Sequence, residues 1–254
     1  MTMVSLRIEP FSGMQTAFIS LERPGRSNSL VPELIEELAT AVETAARSSV
    51  AALVLEGRGR AFSSGGDIAA FDEARDIRDY ADRLVGGLQA LVLALLRFPA
   101  PVLARLQGCV TGGATGLVLA ADLVVMAENA FIQPYYVDVG FAPDGGWTAL
   151  LPEKIGPARA LSMQMLNDRL GSRQALDLGL VNAIRPEGEL DQQIEAWLAL
   201  LATKSQATLA VTRRLVWDER RLADIEARLA AEHQAFLALI ETPETRTGMK
   251  RFLT

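Results

Sequence analysis

A chain of 254 residues, half of them apolar, has material for one large buried core or two smaller ones. Its net charge of −6 argues against general nucleic-acid binding, and no apolar stretch is long enough to span a bilayer without a charge or proline. One cysteine, Cys109, rules out an intrachain disulfide; residues 1–10 lack the basic-then-apolar layout of a secretory signal, so a cytoplasmic location is expected.

Residues 4–8 and 16–21 read as a strand pair turning at Ser12-Gly13. Pro32 and Glu33 open a helix whose apolar positions Leu34, Leu38, Ala41, Val42 and Ala45 keep helical spacing. Residues 50–55 form a buried strand. A long helix over 76–96 is closed by Phe98-Pro99 and Pro101. A strand at 102–106, a short Gly- and Ala-rich helix at 113–121 and a strand at 123–126 follow. This rhythm predicts an α/β fold of repeated ββα units. There is no Gly-x-Gly-x-x-Gly between a strand and a helix, and no Walker loop. Alternation at Tyr136-Val137-Asp138-Val139 reads as a strand, which puts Asp138 on a solvated face in preference to a catalytic role. After Ala158 the pattern is almost all helix: 158–166, 172–178, 189–202, 205–217 and 222–240, with Ser172 and Ser205 as N-caps. A composition shift near residue 185 divides the chain into a ββα core, 1–185, and a helical region, 186–254.

Two small-residue loops stand out. The first is Ala61-Phe62-Ser63-Ser64-Gly65-Gly66-Asp67-Ile68, and the second is Gly108-Cys109-Val110-Thr111-Gly112-Gly113-Ala114-Thr115-Gly116. Each follows a strand and leads into a helix. A glycine N–H at a helix start is an unhindered, positively polarised donor. Two such donors converging on one carbonyl oxygen form an oxyanion hole, in which one donor is worth about 3–4 kcal/mol of transition-state stabilisation.

Other chemistry is scarce. His233 is the only histidine and lies far in sequence from both loops, so it reads as a surface or packing residue, against a Ser-His-Asp site. Cys109 reads as a buried structural thiol. No cluster has metal-ligand spacing, and no metal is expected. Asp144 lies in the tight segment Gly140-Phe141-Ala142-Pro143-Asp144-Gly145-Gly146. The residues alone leave it two roles: cap of a helix starting near Trp147, or working carboxylate. Tyr135, Tyr136, Phe141 and Trp147 are either pocket walls or core aromatics.

Together the two loops, Arg23-Pro24 with Asn28-Ser29-Leu30, the Asp144 segment, Gly179-Leu180-Val181-Asn182 and the tail Gly248-Met249-Lys250-Arg251-Phe252-Leu253 resemble the crotonase family, the enoyl-CoA hydratases and isomerases. The resemblance implies a spiral of ββα turns and a helical C-terminal part that packs on neighbouring subunits in trimers or hexamers. It implies a coenzyme A thioester as substrate, with no separate cofactor, and a place among the isomerases and lyases of fatty acid metabolism. Gly66 and Gly113 would donate to the thioester oxygen. Ser63, Ser64, Asp67 and Ile68 would lie along the coenzyme A segment, with Asp67 fixing the loop rather than acting on substrate. Arg26 is either a phosphate contact or a solvated arginine, and Arg58, Arg60 and Lys250-Arg251 are further candidates for the phosphates. Asp144 falls where isomerase-like and dehalogenase-like relatives carry a working Asp.

Two departures matter. Hydratases use two glutamates to activate one water. Their positions are Gly116 and Tyr135 here. A tyrosine, with a reference pKa of about 10, is a poor base at neutral pH. The sequence therefore favours an isomerase-type proton shuttle on Asp144 over hydration. The alternatives are an enoyl-CoA hydratase and an acyl-CoA binder without catalysis. A third is hydrolysis or dehalogenation with Asp144 as nucleophile.

Overall fold

In the computed structural model, which describes residues 2–254, the opening hairpin runs longer than the alternation predicts. β1 (Val4–Phe11) and β2 (Met14–Leu21) pair antiparallel, Val4 opposite Leu21 and Phe11 opposite Met14. Ser12 and Gly13 both have positive φ, as a two-residue turn between twisted strands requires. In α1 (Pro32–Arg47), Pro32 takes the first turn and the predicted apolar stripe is buried. β3 (Ala52–Gly57), α2 (Ile68–Glu73) and α3 (Ile77–Leu96) follow, the last capped by Asp76, whose carboxylate accepts from the Asp79 N–H. Then come β4 (Val102–Leu106), β5 (Cys109–Thr111), a 3₁₀ turn (Gly112–Ala114) and α4 (Thr115–Leu119). β6 (Leu123–Ala127), β7 (Phe131–Gln133), α5 (Tyr136–Val139), α6 (Leu151–Ile155), α7 (Pro157–Met165), β8 (Leu170–Gly171), α8 (Ser172–Asp177) and β9 (Ala183–Arg185) complete the strand-bearing part. From there the chain is helical: α9 (Leu190–Ala202), α10 (Gln206–Val216), α11 (Glu219–Leu239) and α12 (Pro243–Leu253).

The strands form two sheets, in the order β1-β2-β3-β4-β6-β9 and β5-β7-β8. The pair β4, β5 and the pair β6, β7 each give one strand to each sheet and are followed by a helix, which is the ββα turn of the expected spiral. Beyond β1 the larger sheet is parallel, and residues 52–55 of β3 and 102–104 of β4 are buried on both faces, hence their apolar runs; Glu56 and Arg105, further along, are half-buried. Isolated bridges Leu30–Gly66 and Ser63–Val110 extend the smaller sheet's side of the spiral back into the first glycine loop.

Three local expectations change. Tyr136–Val139 is a helical turn, not a strand. Tyr135 is left-handed at φ 64°, and the N–H groups of Asp138 and Val139 both bond its carbonyl. Tyr136 and Val139 are buried at i, i+3 spacing, while Asp138 is exposed and accepts from the Asn167 amide. Ser172 is the first residue of α8 rather than its cap; Gly171 takes that place, and the Ser172 hydroxyl donates to the Glu128 carbonyl. Ser205 does cap α10, accepting from the Thr208 N–H. The predicted 113–121 helix begins as the 3₁₀ turn.

The helical region shares the core of the spiral. α11 lies along α3, and Ile225, Leu229 and Phe236 join the same buried cluster as Leu84 and Leu88. No described helix is long and apolar enough to cross a membrane.

Candidate active site

The two glycine loops lie side by side. Ser63 and Thr111 exchange backbone hydrogen bonds with the partner loop (Ser63 N–H to Cys109 O and Thr111 N–H to Ser63 O, both 3.2 Å). Leu30 donates to Gly65 O at 2.7 Å and accepts from the Asp67 N–H at 3.0 Å, which holds the first loop from its other side. Gly65 has φ 76°, and a Cβ there would sit 2.6 Å from Thr111 O, so only glycine allows the loops this close. Among the described residues, neither the Gly66 nor the Gly113 N–H has a hydrogen-bond partner. Both glycines line one cleft of about 550 Å³, open mouth included.

Asp144 lines the same cleft. It lies beside Gly113: a Cβ on that glycine would be 2.8 Å from Asp144 Oδ1. The Tyr136 hydroxyl donates to Oδ1 and also to the Asp144 carbonyl at 3.2 Å. Burial raises the Asp144 pKa from 3.8 to about 7; the Tyr136 hydrogen bond opposes the rise and the charge of Glu232 adds to it. No helix starts at Trp147. Residues 145–150 form turns, α6 begins at Leu151, and no helix takes Asp144 as its side-chain cap. The sequence's capping alternative for Asp144 therefore has no counterpart in the fold.

Glu232 on α11 is the group that sequence reasoning missed. Its carboxylate accepts from the Gly146 N–H (2.8 Å), the Thr148 N–H (2.6 Å) and hydroxyl (2.7 Å), and the Ala149 N–H (2.9 Å). A signal existed in its spacing. Glu232 sits within the stripe Ile225, Leu229, Phe236, where a solvated residue has no place.

The two positions where hydratases carry glutamates are equally specific. A Cβ at Gly116 would lie 2.1 Å from Gly145 O, so the Asp144 loop fills the space a glutamate needs. Tyr135 lines the cleft, and burial raises its pKa.

The remaining candidates separate. Ser64, Ile68 and Tyr136 line the cleft. Ser63 does not; it is fully buried and its hydroxyl donates to Asn28 O at 2.7 Å. Asp67 accepts from Arg23 (2.7 Å), Arg26 (2.9 Å), Ser29 (3.1 Å) and the Ala70 N–H (3.4 Å), the last as cap of α2. Burial alone would raise its pKa, but these hydrogen bonds hold it below the usual value. Arg26 lines an outer cleft of about 790 Å³, open mouth included, with Ser29, Ser64 and Ile68, and half its side chain is exposed. Cys109 is half-buried in that outer wall, more accessible than its apolar neighbours suggest. Trp147 is fully buried, donating to Gly112 O at 2.8 Å, and belongs to the core, whereas Tyr135, Tyr136 and Phe141 face the cleft. His233 is a packing residue: its Nε2 lies 3.0 Å from Asp82 Oδ1 and its ring rests against Gly86. Among the described residues, no three His, Cys, Asp or Glu side chains group as a metal site.

A paired glycine-loop site on a ββα spiral defines the class. A family profile described as enoyl-CoA hydratase/isomerase matches residues 13–254, and the chain belongs to that family. It is 31% identical to a probable enoyl-CoA hydratase of Rhodobacter capsulatus, over 98% of this chain and 95% of that protein. A trans-2-decenoyl-[acyl-carrier-protein] isomerase of Streptococcus mutans is 29% identical over 79% of this chain and 78% of its own length. The crystal structure of an enoyl-CoA hydratase from Mycobacterium avium subsp. paratuberculosis superposes with a TM-score of 0.86 at 30% identity, covering 98% and 95% of the two chains. The fold is the crotonase fold.

Proposed function

We propose that this protein acts on an acyl-CoA thioester as an isomerase-type enolate enzyme, with Asp144 moving the proton. The carrying observation is one buried carboxyl, raised to about 7, set beside Gly113 in a cleft that also holds the free Gly66 N–H. In this reading the two N–H groups bond the thioester oxygen and lower the energy of the enolate. Ionised Asp144 takes a proton from a carbon beside the carbonyl or its vinylogous position, and returns it to the other end of the conjugated system. A pKa near the working pH suits a group that must both accept and donate, an effect typically worth about 10²–10⁴-fold. Ser64, Ile68 and Arg26 line the path towards the outer cleft, which suits the pantetheine and phosphates of coenzyme A.

Hydration is the second reading, favoured by relatives described as probable enoyl-CoA hydratases. Against it, the Gly116 site has no room for a glutamate and Glu232 is already bonded by four donors. We also infer self-association, supported by the exposed Leu161, Met165 and Leu166 on and just beyond α7.

The test is deuterium exchange from heavy water into saturated, 2-enoyl and 3-enoyl CoA thioesters, read by mass spectrometry. Exchange lost in Asp144→Asn, with a shifted double bond in wild type, is expected. A water adduct formed in preference to exchange would instead establish a hydratase.

A further inference from the structure

We propose that Glu232, which lines no part of the cleft, is a positioning residue for Asp144: its carboxylate pins the loop that carries Asp144, and its negative charge acts on that group. The inference rests on the proton-shuttle reading of Asp144.

Loop geometry makes the case for pinning. Gly145 and Gly146 are both left-handed, at φ 64° and 98°, so the chain reverses immediately after Asp144. The N–H groups exposed by that reversal have no helix to bond, because α6 starts only at Leu151. Glu232 collects three of them and the Thr148 hydroxyl from 83 to 86 residues away in sequence. The helix that delivers it is itself fixed. Glu232 is 4% exposed, the ring of its neighbour His233 rests against Gly86 of α3, and Phe236 packs on Phe141 at 4.9 Å in the cleft wall. α3 in turn supplies Leu84 and Leu88 to the same cleft. A rigid frame therefore runs from α3 through α11 to the loop that sets the Asp144 carboxyl against Gly113.

The charge is the second part. A glutamine could accept some of these bonds without a buried charge, and a buried charge is costly even when well paired. The titratable groups that act on Asp144 are the Tyr136 hydroxyl from α5, bonded to its carboxyl, and Glu232 from α11, through its charge; the Asp144 carboxyl and Leu88 of α3 both border the space beside Gly113. Among the described residues, Glu232 is the charged group that opposes ionisation of Asp144; burial raises its own pKa as well, while the bonds from Thr148, Gly146 and Ala149 favour its carboxylate form, and that charge supports a proton affinity suited to shuttling.

The experiment compares wild type, Glu232→Gln, Glu232→Asp and Thr148→Val in the deuterium-exchange assay, and titrates the Asp144 carboxyl by difference infrared spectroscopy against Asp144→Asn. Glu232→Gln is expected to lower kcat about 10²-fold while KM stays within about threefold, because misplacement of the reacting group rather than lost binding is the defect. Its pH–rate profile and its Asp144 titration should both move to lower pH. Glu232→Asp keeps the charge on a shorter arm, so kcat should fall while the titration stays near that of wild type. Thr148→Val removes one bond to the clamp and should leave the titration in place. Wild-type kcat and an unmoved Asp144 titration in Glu232→Gln would overturn the proposal. Should Glu232→Gln fail to fold, wild-type kcat in Glu232→Asp overturns it. If Asp144→Asn exchanges like wild type, the shuttle reading fails instead, and the infrared titration still decides whether Glu232 acts on Asp144.

Discussion

Replacing Asp144 by Asn keeps the side-chain shape and an acceptor for the Tyr136 hydroxyl, but removes its titration. In the folded protein burial lifts this carboxyl to about 7, with Tyr136 working against the rise and Glu232 for it; the unperturbed value is 3.8. Between those values the native state holds a proton that the unfolded chain has released. Stability therefore falls as pH rises from about 4 to about 7, and above that the buried carboxylate carries the whole penalty. About three pH units at about 1.4 kcal/mol each give an upper figure of about 4 kcal/mol. Urea unfolding at a fixed protein concentration should find Asp144→Asn as stable as wild type at pH 4 and about 2–4 kcal/mol more stable at pH 8. In the same preparations deuterium exchange should drop by at least about 10²-fold. An equal stability difference at both pH values would refute the titration argument, and wild-type exchange would refute the catalytic one.

Gly116→Glu should not create a hydratase: its Cβ would meet Gly145 O at 2.1 Å, and a loss of about 3 kcal/mol or more in thermal or urea unfolding is expected, with no hydration of 2-enoyl thioesters. Phe236→Ala opens the cleft wall where Phe71, Phe141 and Phe236 meet; it should cost about 3–5 kcal/mol and move the acyl-length profile towards longer chains, and an unchanged profile would remove Phe236 from the acyl end. Asp67→Asn breaks a buried pair with Arg23 and a half-exposed one with Arg26, so a loss of about 2 kcal/mol at pH 7 is expected. Because the folded pKa of Asp67 is depressed, its contribution is present above 3.8 and lost as pH falls below it; the variant's acid limb should be flatter in a pH series of melting curves. Met165→Glu puts a charge on an exposed apolar face and should lower the mass seen by light scattering if that face joins copies of the chain.

Much of the site is legible in the sequence because its logic is local. The glycine loops follow strands whose apolar runs are unmistakable, and Asp144 stands out inside a segment too rich in glycine and proline to be a solvated helix face. Long-range placements are not legible in the same way. Ser63 looks like a ligand contact within its loop, yet its hydroxyl is spent on Asn28 O, a partner fixed by the spiral and not by neighbouring sequence. Tyr136–Val139 is too short for alternation to distinguish a period of 2 from 3.6, and the left-handed Tyr135 that starts the turn carries no sequence signature. Glu232 is hidden by the same pattern that reveals its helix. Apolar periodicity places Ile225, Leu229 and Phe236 inside and treats the intervening glutamate as incidental, although the same 3- and 4-residue steps put it inside too.

The absence of glutamates at 116 and 135 and the burial of one at 232 form a single structural argument. With no side chain at Gly116, the backbone of Gly145 closes onto the second glycine loop, and this contact carries Asp144 to Gly113. Gly145 and Gly146 are left-handed at this approach, and the N–H groups of Gly146, Thr148 and Ala149 have no helical partners. An unpaired buried N–H costs about 1–3 kcal/mol, so a loop of this shape needs an acceptor from elsewhere. Glu232 supplies it with one carboxylate. A glutamate at 116 would push the loop away and leave Glu232 a buried charge without its donors. A simultaneous change at 116 and 232 should therefore be strongly non-additive in stability, since both substitutions act on one loop; additive losses in a double-mutant cycle would show that the two sites do not share it.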